Sequence, residues 1–459
     1  MLGTFLKPEC EELIQKKDWT ALREVFSELD PPDIAEIIQD LPAEDSGIIF
    51  RLLPRDLAAV VFEYLPLDQQ GELVNTLGKE TLVNVLNEMA PDDRTRLFEE
   101  LPAEVTRRVL ANLNPEELGV ARQLLGYPEN TAGRRMTPEY LAVRPTMTAA
   151  EALGFIRKHG RDRETLNVIF ITDERGHLLG DVRLATLVLA PPDAKVEGLE
   201  TRPLISIPAN TNLEEVVQMF EKYDRLALPV TDTRGVLVGI ITVDDVLDVA
   251  EERATEDIQR LGGMEALEAP YFDIGFFQMI RKRAGWLTIL FVAQTLTATV
   301  MGLFEDELAR AVVLGIFIPL IISSGGNSGS QATSLIVRGL AVREIYPRDW
   351  LRVLRREMLS GLSLGVFLGL LGLLRVLFWP RADETYGPHY HLVGLTMALS
   401  VVGVVLFGTT AGAMLPLILR RLGLDPASAS APFVATLVDV TGLVIYFGVA
   451  VLLLRGVLL

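Results

Sequence analysis

The sequence predicts a multidomain, α-rich membrane protein in which an α-superhelical domain and an α/β portion precede a domain of five transmembrane helices. Three observations carry that expectation. An apolar residue recurs every 12 positions through the first segment, two similar strand–turn–strand–helix segments follow it, and five apolar stretches of membrane length fill the remainder.

Charge separates these regions. The 459 residues have a formal charge of −18, with Lys plus Arg against Asp plus Glu at 12 to 26 over residues 1–130, 16 to 25 over 131–275 and 15 to 10 over 276–459. The first two segments are thus net −23 and the last +5. An acidic body lacks the basic face that nucleic acid phosphates require, so nucleic acid is excluded as a partner and cations are attracted instead. The single cysteine, Cys10, allows no intrachain disulfide and fits a reducing cytosol. Glu9, Glu11 and Glu12 stand where a secretion signal needs an apolar core.

In the first segment Leu29, Leu41, Leu53, Leu65, Leu77, Met89, Leu101 and Leu113 mark the 12-residue period. Pro42, Pro54, Pro66 and Pro102 follow directly, and Pro31, Pro91 and Pro115 one residue later. Proline is tolerated in the first turn of a helix and breaks one elsewhere, so each period reads as a short helix and a tight turn. Such helices bury an apolar face only by stacking, which gives a superhelix. A scaffold and an ion-sensing role both remain open for it.

Beyond Met136, short strands alternate with helices: 165–173 and 178–180 before a helix from Leu184, then 227–232 and 237–243. Each pair of strands is joined by an acidic turn with glycine, Asp173 to Gly176 and Asp232 to Gly235. The two segments resemble a tandem pair of CBS domains, the second through the run from Leu237 to Leu247. That resemblance implies an adenine-nucleotide site, ATP or a relative, with Thr242 and Asp245 as the Thr-x-x-Asp that binds ribose. Arg183 and Thr186 stand at those positions in the first copy, so at most one such site is implied.

A polar helix from Val243 to about Leu261 follows, and the spacing of Asp245, Asp248, Glu252 and Glu256 puts carboxylates along one face. Like charges so placed repel unless a counter-ion sits among them. An ordinary solvated helix is the plainer reading, and a metal-linked connector is favoured by its place before the membrane portion.

The apolar stretches 286–303, 311–337, 358–378, 392–419 and 432–454 each meet the roughly 20 residues that a ~30 Å hydrocarbon core demands. Arg281, Lys282 and Arg283 precede the first, six arginines from Arg338 to Arg356 lie between the second and third, and Arg420 and Arg421 follow the fourth. The intervening loops carry Glu305, Asp306, Glu307, Asp383 and Glu384. The positive-inside rule therefore predicts a cytosolic N-terminal body and, with an odd number of spans, an external C-terminus at Leu459; the location expected is the cell (inner) membrane.

Two features of this half carry chemistry. Asp439 is the acidic residue deep within a predicted span, where insertion scales charge about 2.5–3.5 kcal/mol for a carboxylate, so it is expected to face a wet cavity or a partner. The run Ser323 to Gln331, with Gly325, Gly326, Asn327 and Gly329, interrupts the second span, and irregular backbone at that depth is expected to line a cavity, a close helix seam being the alternative. Mg²⁺ prefers oxygen ligands and gives up water reluctantly, so one or two carboxylates holding a hydrated ion is its expected site, completed by a two-fold axis, and composition alone does not separate it from Mn²⁺, Co²⁺ or Ca²⁺.

Over nearly its whole length the sequence resembles the MgtE family of Mg²⁺ channels: an acidic helical N domain (1–132), tandem CBS domains (133–249), a connecting plug helix region (250–278) and a transmembrane domain (279–459). The specific matches are Gly325, Gly326 and Asn327 with Gly329 and Gln331, the run Pro432 to Gly442, and Thr242 to Asp248. The resemblance implies a homodimer in the lipid bilayer, with Asp439 of each subunit holding hydrated Mg²⁺ and Ala435 narrowing the path. It implies regulatory Mg²⁺ on Asp92, Glu214, Asp224, Asp245, Asp248, Glu256 and Asp257, closing the pore. Asn212, Arg253, Ser330 and Ala431 depart from the family's pattern, which implies fewer or weaker regulatory ions.

Rival readings are a transporter of another divalent cation (Co²⁺, Mn²⁺) and a nucleotide sensor whose membrane part is an anchor. An enzyme is not expected: His159, His177, His389 and His391 supply no His-Glu-x-x-His set for an intramembrane protease. A CBS-regulated anion channel is disfavoured by Asp439.

Overall fold

A computed structural model describes residues 2–39, 41–161, 163–199, 203–267, 271 and 274–458. The chain end, Leu459, is not among them. Two compact units divide at Glu251 and Glu252.

The 12-residue period becomes a run of short helices from Leu2–Lys16 to Pro115–Leu125. Proline either caps a helix from the residue before it, as at Pro42, Pro54, Pro66 and Pro102, or opens its first turn, as at Pro31, Pro91 and Pro115. The missing N–H costs nothing there, because first-turn amides have no intrahelical partner. At Leu29, Leu53, Leu77, Met89 and Leu101 the periodic residue is the C-cap, with extended backbone that stops the helix. Leu53, Leu65, Leu77, Met89, Leu101 and Leu113 are buried in one continuous core with Phe26, Phe50, Phe62 and Phe98.

The α/β portion contains two sheets of the same design. In the first, β1 (Ala142–Val143) runs parallel to β2 (Val168–Thr172), which pairs antiparallel with β3 (Leu178–Arg183); in the second, β4 (Ile207–Pro208), β5 (Ala227–Thr231) and β6 (Leu237–Thr242) repeat the order. Val168 pairs with Arg183 as Ala227 pairs with Thr242, and a register shift falls at Thr172 and again at Thr231. The turns match too. Asp173 Oδ1 accepts from the backbone N–H groups of Arg175 and His177, and Asp232 Oδ1 from those of Arg234 and Val236. Gly176 and Gly235 take φ of +83° and +79°, a conformation open to glycine. Arg225 donates to Asp181 at 3.0 Å, a buried ion pair that ties the copies together.

Among the described residues five helices, all in the second unit, are long and apolar enough to cross a membrane: Phe276–Leu303, Val312–Ala341, Pro347–Leu377, Tyr390–Arg421 and Ala431–Leu454. The fourth is central, packing on the second, third and fifth, while the first lies mostly uncovered along the fifth. The glycine-containing run departs from expectation, because Ile318–Ala341 is one uninterrupted α-helix through it. Its small residues serve helix contact instead. A methyl on Gly408 would lie 2.4 Å from the carbonyl oxygen of Gly325, and one on Gly412 would lie 2.2 Å from that of Gly329. Backbones meet here, as small-residue seams in membranes allow.

Candidate ion pathway and regulatory carboxylates

The fifth span starts with Ser430, whose hydroxyl accepts from the N–H of Phe433, and with Pro432 in the first turn. Two turns further in stands Asp439, half-buried in the single chain. The sequence offered it no basic mate, and the structure gives it a neutral one: Gln294 of the first span donates from Nε2 to Oδ2 at 3.2 Å. Ala435 lies one turn before Asp439 on the same face. Gly326 faces Ala435, with a methyl built on it 3.6 Å from the alanine Cβ, and Asn327 is exposed, its amide donating to Ser323 at 3.4 Å. Gly325 is different. It is buried in the seam, with Val404 and Val438 leaving no room for a methyl, so packing takes the place of the pore lining expected for it.

In the first unit a second set of acids is crowded. Asp92, in the first turn of Pro91–Glu100, is 6% exposed, and its Oδ1 has no hydrogen-bond partner among the described residues. Burial and then the nearby Asp245 raise its carboxyl well above the usual range. The same causes hold Asp93 at about 6, burial holds Asp245 at about 6, and burial with Asp245 and Asp244 brings Glu164 to about 7. Thr242 donates to Asp245 at 2.7 Å, and Arg96 to Asp248 at 3.1 Å. Four carboxylates so buried and crowded repel one another, a strain that protonation or a cation relieves. Asp93 and Glu164 were missed in the sequence. Asp93 adjoins Asp92, whereas Glu164 comes from another element and carries no local signal.

The remaining expected ligands lie apart. Glu214 and Asp224, both exposed, stand at opposite ends of the helix Leu213–Tyr223, roughly 15 Å of rise from one another. On the connecting helix Val243–Leu261, Glu256 accepts from Arg253 at 3.2 Å through one oxygen and from Arg260 through the other. Both oxygens of Glu256, expected as a regulatory ligand, are thus engaged by guanidinium groups in the single chain. Arg260 also donates to Asp425, in the segment between the fourth and fifth spans. Asp257 is half-buried on the same helix. Among the described residues no three His, Cys, Asp or Glu side chains are arranged to hold a metal ion together.

A helical domain, paired strand–helix modules and a bundle of membrane-length helices with a carboxylate in the fifth fit a membrane transporter for cations. Sequence comparison identifies which. The MgtE divalent cation transporter family matches residues 318–449, the MgtE intracellular N domain residues 29–130, and the CBS domain residues 132–193 and 196–252. The chain is 38% identical to the magnesium transporter MgtE of Thermus thermophilus over 98% of its own length and 99% of that protein's, and 30% identical to that of Bacillus subtilis over 82% of each. Among solved structures, the cytosolic domain of the Mg²⁺ channel MgtE in complex with ATP is similar over 53% of this chain and all of that one, at 37% identity and a TM-score of 0.51. The soluble part of a magnesium transporter is similar at 26% identity and 0.52 over 55% of this chain. The protein belongs to the MgtE family.

Proposed function

We propose that this chain forms, as a homodimer in the cell membrane, a Mg²⁺-conducting channel that cytosolic Mg²⁺ closes. Its N-terminal unit faces the cytosol and its C-terminus the outside, as the basic loops require. The observation that carries the reading is Asp439, a carboxylate within an otherwise apolar span, held by a neutral amide and one helical turn from small residues. Two copies on a symmetry axis supply two carboxylates to a hydrated ion, the arrangement Mg²⁺ chemistry favours. Ala435, Gly326 and Asn327 border the path.

The closing ions bind at Asp92, Asp93 and Asp245, with Asp248, Glu214, Asp224 and Asp257 contributing as domains approach across the dimer. At low internal Mg²⁺ the unrelieved repulsion spreads these carboxylates; at high Mg²⁺ the ions draw them together and the pore closes. One adenine nucleotide per chain binds at the second CBS copy, through Thr242 and Asp245.

Mg²⁺ uptake by liposomes holding the full chain, compared with Asp439→Ala, tests the conducting role. Uptake by the parent and its loss in a folded, membrane-inserted variant supports it. Equal uptake by both removes it.

A further inference from the structure

The first and fifth spans run side by side in parallel, tied at both ends by aromatic contacts. At their N-terminal ends the rings of Trp286 and Phe433 are 6.2 Å apart, and Trp286 Nε1 donates to Ser430 Oγ at 3.1 Å. At the far ends Phe304 stacks on Phe447 with centroids 4.7 Å apart and planes at 16°. These contacts fix the register. Gln294 lies about 12 Å of helix rise beyond Trp286, and Asp439 about 9 Å beyond Phe433, so the amide and the carboxylate meet at one depth.

Gln294 is the one amide side chain in the apolar stretch 286–303. A polar group in a span needs a partner, and this one finds a carboxylate. The chemistry of the pair is specific. Arginine or lysine at position 294 would neutralise Asp439 and repel a cation, whereas a neutral donor fixes one oxygen and leaves the charge intact. Oδ1 then remains as acceptor for a water of the ion's hydration shell.

We propose that Gln294 is the positioning residue of the pore carboxylate: it binds Oδ2 of Asp439 and so sets the plane in which the other oxygen meets a hydrated divalent cation. This rests on the reading of Asp439 as the pore's ion site.

The test is Mg²⁺ and Ca²⁺ uptake by full-length protein in liposomes, measured against ion concentration for the parent, Q294M, Q294N and D439N. Removing a partner that orients a metal-binding group typically weakens the ion by ~10-fold or more. Q294M is therefore expected to raise the half-saturating Mg²⁺ concentration by about tenfold, with a smaller change in maximal uptake and a lower Mg²⁺ to Ca²⁺ ratio. Q294N, whose amide is drawn back by one methylene, falls between. Parent-like half-saturation and ion ratio in folded Q294M overturn the proposal. Should Q294M fail to fold, Q294N decides alone: a raised half-saturating concentration supports the proposal, and a parent value overturns it. D439N separates the two claims, since parent-like uptake there sinks the pore reading itself, while lost uptake beside an unaffected Q294M sinks only the role of Gln294.

Discussion

Asp92 is a carboxylate that the fold buries while leaving one oxygen without a hydrogen bond among the described residues. Such a group is costly unless it is protonated or meets a cation, and its neighbours Asp93, Asp245 and Glu164 are raised with it, to about 6, 6 and 7. The direction of the resulting pH dependence follows. An acid whose folded-state value lies above its unfolded one binds protons in the native state first, so it favours folding at low pH and opposes it as pH rises through the folded value. In chelator, the first thermal transition of the full chain in detergent is expected to move up as pH falls from about 7.5 to about 5, and saturating Mg²⁺ should flatten that slope. A midpoint independent of pH over this window contradicts the crowding. Legibility differs among these residues for a physical reason. Asp439 was visible because hydrocarbon penalises any carboxylate, a cost read from position in one helix alone. Asp92 entered through resemblance, because nothing in its local spacing reveals that Asp245 lies near it, and Gln294 was passed over because an amide in a span is a weaker anomaly than a charge.

Helices and turns were the most legible features, since proline and the 12-residue period act locally, and the two acidic glycine turns announced a repeated sheet whose registers agree residue for residue. The glycine-containing run in the second span was less so. Its composition is equally that of broken backbone and of a close seam, and what decides between them is the facing pair Gly408 and Gly412 on a span more than 70 residues away. The connecting helix was placed correctly, yet its last turn is held by arginine. Arg260 joins Glu256 on its own helix to Asp425 ahead of the fifth span, and partial exposure leaves such a bridge worth about 1 kcal/mol. That is a roughly fivefold effect on an equilibrium. R260M is accordingly expected to raise the internal Mg²⁺ needed for half-closure by about fivefold in patch recordings, and the exchanged pair R260D/D425R to restore it. An unchanged midpoint in R260M means that this bridge does not bear on closure.

One helix, Val243–Leu261, starts among the crowded acids and ends at the arginine bridge, so in the proposed function it is the covalent link between the sensing carboxylates and the pore. Linkage makes this coupling testable without a second structure. If Mg²⁺ closes the pore by binding the closed arrangement better, the same binding must stabilise that arrangement against unfolding, by about 2.7 kcal/mol at a hundred times the dissociation constant. Removing the carboxylates has two faces. Asp92→Asn with Asp245→Asn relieves the repulsion, so the variant should be more stable than the parent in chelator, yet it has fewer charges with which to hold an ion. Its thermal midpoint is therefore expected to respond little to Mg²⁺, and its internal Mg²⁺ for half-closure to rise by at least about tenfold, the equivalent of 1.4 kcal/mol of lost binding. The two effects must move together, because one binding event produces both. Loss of the thermal response with parent-like inhibition would separate them, and closure would then have to be driven by ions bound at carboxylates other than these two.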